Sequence, residues 1–292
     1  VTWVNAVLQG VFLGGLYALF ACGLSLLFGV MRIINLAHGD IAVLGAFLIW
    51  QISTSFGISP FLALIPTLVV MLVLGYVLQK TMLTRALRGG PLIPLLATFG
   101  LSIVIQNGLL QVFSADVRSL GGQAGPIAHA SWTITDQLSV PVLGVVVLAT
   151  AVAVLGGLQL VLRRTGVGRE MRATAQDADT AGLVGVPSSS VYARATAIAV
   201  ATATLAGMFL ALRSTFSAAS GPTQLIFAFE AVVIGGLGSL WGTLGGGIVL
   251  GVAQTVGAQF DPQWSILAGH LVFLLILATP RGRSLDLGGV RA

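Results

Sequence analysis

Long apolar runs, broken at intervals by short polar or glycine-rich stretches, dominate this chain. They lie at about 3–30, 41–56, 61–79, 92–113, 140–162, 191–212, 225–237, 240–259 and 264–279. Several reach the roughly 18 to 20 apolar residues needed to cross the hydrocarbon core of a bilayer. Each run is apolar all round, whereas a barrel strand alternates over about ten residues. An open strand edge in lipid would also leave backbone groups without partners. The pattern therefore predicts an all-α fold, a polytopic integral membrane helical bundle forming one domain over 1–292. The expected count is eight or nine transmembrane segments. It is nine if 225–237, only about 13 residues long, crosses fully and 31–40 is a surface loop. It is eight if either is a broken or re-entrant half-helix.

Composition agrees: 56% of residues are hydrophobic and 8% charged, against about a quarter charged in a soluble domain. The 38 glycines suit membrane helices, whose packing depends on close backbone approach. A net charge of +5 could suggest nucleic acid, but the positions of the charges argue for topology instead. Lys80, Arg85 and Arg88 fill one connection, and Arg163, Arg164, Arg169 and Arg172 another; Arg281, Arg283 and Arg291 follow the last run. The positive-inside rule puts all three groups in the cytoplasm. Loop 114–139 is then external, with Trp132 as an interfacial anchor and Pro141 at a helix start. The nine-span threading places residues 35–40 on the inner side and the N-terminus outside. The N-terminal run has no basic region before it and no A-x-A-like site, so it does not read as a cleaved signal peptide. Cys22 is the one cysteine, which rules out an intrachain disulfide and leaves a metal site unexpected.

Ionisable groups inside apolar sequence cost about 2.5–3.5 kcal/mol at mid-helix on insertion scales. Arg32, His38, Asp40 and Glu230 are the candidates. Two readings of the NLAHGD stretch, residues 35–40, stay open. In one, a broken helix exposes Asn35, His38 and Asp40 along a translocation path. In the other, a surface loop ends with Asp40 capping a helix that begins at Ile41. Glu230, in LIFAFEAVVIGG, has no partner nearby in sequence; it either pairs with Arg213 or Arg32 or faces water, or it joins Asn35, His38 and Asp40 on the substrate path.

The connection 163–190 is unusually long at about 28 residues. Within it 169–183 reads as one helix, with Arg172, Gln176 and Asp179 at helical spacing beside a stripe of Ala175, Ala178, Ala181 and Gly182. Gly185 and Pro187 end it, and residues 188–190 can cap the next membrane helix. A helix with a small-residue face suits a groove on a partner; the alternative is an idle linker. No G-x-x-x-x-G-K-[ST] occurs, so ATP binding through a P-loop is not expected of this chain.

The blocks YALFACGLSLLFGVMRIINLAHGDIAVLGAF (17–47), GREMRATAQDADTAGLVGV (168–186) and VVIGGLGSLWGTLGGGIVLG (232–251), then PRG at 280–282, resemble the permeases of branched-chain amino acid ABC importers. The likeness is to their LivH-like subunit. It implies a bacterial inner-membrane, multi-pass subunit that pairs with a LivM-like second permease, two ATP-binding cassette ATPases and a soluble substrate-binding protein. It implies no bound cofactor, ATP being used by the partner subunits, and no enzymatic activity of the chain itself. Loop 163–190 would be the coupling segment, with Gly168, Arg169, Arg172, Ala175, Asp177, Ala178, Ala181 and Gly185 meeting an ATPase. A permease for urea, short amides or another small solute is an alternative within the class. A self-contained ion-coupled transporter would predict more intramembrane carboxylates and two similar halves; only a faint likeness links 61–113 to 140–212.

Overall fold

The computed structural model describes residues 2–90, 92–135 and 138–279. The expected basic group Arg281, Arg283 and Arg291 and the PRG at 280–282 lie outside the described residues.

All nine apolar runs are helical. They form α1 (Thr2–Met31), α2 (His38–Phe56) and α3 (Pro60–Leu78), which continues through a π turn (Gln79–Leu83) into α4 (Thr84–Leu87). Next come α5 (Leu92–Phe113), the short α6 (Pro126–His129) and a hairpin of β1 (Ser131–Thr135) with β2 (Leu138–Pro141). There follow α7 (Val142–Arg164), α8 (Gly166–Gln176), α9 (Ala178–Leu183), α10 (Ser188–Arg213), α11 (Gly221–Gly235), α12 (Leu240–Gly257) and α13 (Trp264–Ala278). Eight helical stretches among the described residues are long and apolar enough to cross a membrane; α13, with 15 residues, is shorter. At 1.5 Å per residue α13 reaches only roughly 22 Å, less than the hydrocarbon thickness of about 30 Å.

Helices α1 and α10 are the buried centre of the bundle. Close approach sets the α1–α12 pairing. The helices run antiparallel, and a Cβ on Gly14 or Gly251 would overlap the facing backbone. The outer helices α3 and α5 turn Val69, Val73, Leu96 and Val104 outward. Such a surface is stable against hydrocarbon and not against water.

The bundle has two chemically distinct ends. At the basic end, Lys80 Nζ donates to Ser190 Oγ (3.1 Å) and Arg194 pairs with Glu170. At the hairpin end, the described part of loop 114–139 is held by specific contacts. The backbones of Arg118 and Phe216 exchange hydrogen bonds of 2.8 and 2.9 Å, and the Arg118 guanidinium lies 4.6 Å from the Trp50 ring centroid. Trp132 pairs with Val140 in the hairpin and stays exposed. Helix α1 starts near this end, where Gln9 Nε2 donates to the Ser139 carbonyl (3.2 Å).

Three local expectations change. Lys80 and Arg85 are on a helix, not in a connecting loop, because the π turn carries α3 onward. Its extra turn is pinned by Gln79, whose Oε1 accepts from Thr196 Oγ1 at 2.7 Å. The expected helix 169–183 is two helices, since Asp177 is extended (φ −155°) and caps α9 through its own side chain. Residues 188–190 lie inside α10, whose N-cap position is Pro187, without a side-chain cap.

Candidate functional site: two buried polar clusters and a helix pair at the basic end

The first cluster is NLAHGD. Helix α1 ends with Arg32 in the left-handed region (φ 54°), its side chain exposed. The chain then turns inward. Asn35 Oδ1 accepts from the Ala37 amide at 3.0 Å, and the Asn35 carbonyl accepts from the His38 amide at 3.1 Å. Helix α2 starts at His38, three residues before the expected Ile41. His38 is fully buried, and its Nε2–H donates to the Phe20 carbonyl at 2.9 Å. Phe20 lies eleven residues before the end of α1, roughly 16 Å back along the helix axis. The stretch is therefore inside the bundle and not in a surface loop.

Asp40 does not cap α2. It lies in the first turn, 1% exposed, and its Oδ2 accepts from Ser102 Oγ at 2.5 Å. Gln106 Nε2 donates to Ser102 Oγ (3.0 Å), and the Leu36 amide donates to Thr98 Oγ1 (3.1 Å). Thr98, Ser102 and Gln106 thus form a polar stripe at i, i+4 and i+8 on α5, a signal present in the sequence and missed there. The first turns of α2 and α11 meet backbone to backbone: a Cβ on Gly39 would overlap the Gly221 carbonyl, and one on Gly221 would overlap Asp40. Two helix N-termini, each the positive end of a dipole, converge on this carboxylate. Asp40 Oδ1 and His38 Nδ1 are buried with no hydrogen-bond partner among the described residues.

Glu230 belongs to a second cluster. It sits nine residues along α11 from Gly221, roughly 13 Å away at the helical rise. Its partner is neither Arg213 nor Arg32, which the sequence offered, but His270 of α13: Nδ1 to Oε1 is 2.5 Å. Phe227 lies between Tyr17 and His270, 5.0 and 6.1 Å from their ring centroids. Tyr17 O–H donates to Gln254 Oε1 at 2.6 Å. Four helices are joined here: α1, α11, α12 and α13. The Glu230 side chain is 4% exposed and that of His270 37%, so removing His270 strands a buried carboxylate. His270→Ala is expected to cost about 1–3 kcal/mol, measured as a lower thermal melting midpoint. Adding Glu230→Leu should recover part of it. A double variant that melts no higher than the single one would remove the pairing argument.

The third element is the pair α8–α9. Gly168 is buried, because a Cβ there would meet the Leu162 carbonyl of α7. Ala181 is buried too. Ala175 and Ala178 are half-buried, so the small-residue stripe faces the bundle. Arg169, Arg172, Asp177 and Gly185 are exposed. Asp177 Oδ1 accepts from the Asp179 and Thr180 amides, both at 3.0 Å, and Oδ2 from the Thr180 hydroxyl at 2.7 Å. The Thr180 hydroxyl first, and then these amides, hold its carboxyl below the usual carboxylate range. At the end of α9 stand Leu183 and Val184, 89% and 76% exposed. Sequence reasoning passed over them, because the alanine periodicity pointed to the opposite face.

Comparison with known proteins shows the family. The family model for branched-chain amino acid transport system permease components matches residues 6–279. The high-affinity branched-chain amino acid transport system permease protein BraD of Pseudomonas aeruginosa is 28% identical, the alignment covering 96% of this chain and 95% of BraD. The corresponding protein LivH of Escherichia coli is also 28% identical, with 96% and 94% covered. The fructose import permease protein FrcC of Rhizobium meliloti is 28% identical over 84% of this chain and 69% of its own length. Among solved structures, a chain of PsaBC from Streptococcus pneumoniae in complex with Fab shares the fold (TM-score 0.50, 13% identity, 98% and 95% covered). The chain belongs to the family of branched-chain amino acid transport system permease components.

Proposed function

We propose that this chain is the LivH-like membrane subunit of an ATP-driven importer for branched-chain or other small neutral amino acids. The observation that carries this reading is the extent of the family match, 6–279, which takes in both polar clusters and the α8–α9 pair. On this reading the whole chain is one permease domain in the bacterial inner membrane, basic end in the cytoplasm. It works with a LivM-like permease, two ATP-binding cassette ATPases and a soluble binding protein. ATP is bound by the ATPases and not by this chain. Helices α2 and α11, both starting inside the bundle, line the path, with Asn35, His38 and Asp40 along it. Glu230 braces α11 against α13, and the exposed tip of α9 receives an ATPase.

Reconstitution tests the class. Uptake should require ATP and every partner; uptake by this chain alone under an ion gradient would overturn the reading. A fructose permease at 28% identity favours a second reading of the substrate, in which the chain admits other small solutes and the binding protein selects among them. Ligand binding to that protein decides it.

Asp40→Asn keeps an acceptor for Ser102 and removes the charge. We expect uptake to fall at least about tenfold while the melting midpoint moves by less than about 4 °C. Normal uptake would leave Asp40 as a packing pin only.

A further inference from the structure

A cavity of about 220 Å³ opens at the basic end between α1, α7, α8 and the turn before α12. Its wall is apolar, formed by Leu26, Val30, Leu162 and Met171, and Arg163 and Arg172 also line it. Both arginines are exposed, and among the described residues neither has a carboxylate within ion-pair distance. Elsewhere Arg118 and Arg194 do have one. With the Gln159 amide turned to suit, its oxygen accepts from Arg163 Nε and Nη2 at 2.7 and 3.1 Å. That fixes the guanidinium without neutralising it. Ser25, also lining the cavity, is 1% exposed, and its Oγ has no partner among the described residues.

We propose that this cavity is a site for an anionic phospholipid. The phosphate lies between Arg163 and Arg172, and an acyl chain lies on the apolar wall. Guanidinium forks match phosphate oxygens, and basic pockets between membrane helices select anionic head groups. Free phosphate would satisfy the same two arginines but leave the wall uncovered, and for that reason the lipid is the assigned source. Because Met171 and Arg172 belong to α8, the lipid braces that helix against α1 and α7.

The test is lipid retention by the full chain in detergent, followed by native mass spectrometry as phosphatidylglycerol or phosphatidylcholine is titrated in. Phosphatidylglycerol should be retained preferentially. Arg163→Gln with Arg172→Gln should weaken its retention about thirtyfold, the loss of two cationic contacts. Ser25→Leu fills the cavity without changing charge and should weaken it as well; if that variant fails to fold, the arginine pair decides. Arg85→Gln with Arg88→Gln removes equal charge outside the cavity and should leave retention unchanged. Equal loss in that control pair, or no loss in the cavity pair, overturns the proposal. So does binding of inorganic phosphate without lipid retention, which assigns a free-anion site. Release of the lipid from the wild type when the ATPases are added assigns the arginines to a protein contact and overturns it too.

Discussion

Leu183→Asp combined with Val184→Asp is expected to abolish ATP-driven uptake by the assembled importer and to leave the permease's melting midpoint unchanged. Both side chains point into solvent at 89% and 76% exposure, so polar replacements lose no packing within the chain. They stand at the end of α9, at the basic end, where adjacent exposed apolar groups suit a protein contact. Buried in a partner's groove, such a pair supplies the centre of an interface, and two carboxylates there would have to be desolvated without partners. ATP hydrolysis would then run uncoupled from uptake. The measurement is uptake in proteoliposomes beside ATPase activity and thermal melting; full uptake would remove the docking role from this tip. Arginine at Ala175 and Ala178 should also stop uptake, but partly through the fold, since those positions are half-buried.

Gly39→Ala should produce a large loss of stability. The added methyl overlaps the Gly221 carbonyl and crowds the Leu225 amide. These are backbone atoms at the start of α11, so no rotamer change relieves them. Overpacking usually costs about 1–3 kcal/mol where side chains can yield, and backbone against backbone belongs at or above the top of that range. A drop of roughly 10 °C in melting midpoint follows, with loss of membrane-inserted protein. As a comparison, Gly108→Ala on α5 meets nothing within 4 Å and should be silent. If the two variants melt alike, the contact between α2 and α11 is not close in solution.

Each of the nine helices that the apolar runs form among the described residues was legible, because lipid demands an unbroken length of apolar sequence and gives no other secondary structure a comparable signature. The ends were harder to read. NLAHGD reads as a surface loop when its polar groups are assumed to need water, yet Ser102, Thr98 and the Phe20 carbonyl bond several of them inside the bundle. The Glu230–His270 pair links positions forty residues apart, and no local pattern encodes that distance. Asp177 shows the opposite failure. Its capping chemistry was local and readable, but the alanine spacing runs straight through it and suggested one continuous helix.

The contact between Gly39 and Gly221 also governs how the molecule can move. Two helices that meet through carbonyls and amides have no layer of side chains along which to slide. Their first turns must travel together, so any change of shape is taken up by the connectors before them, residues 32–37 and 214–220. On the proposed path, the two first turns would then move as one rigid web between two connectors.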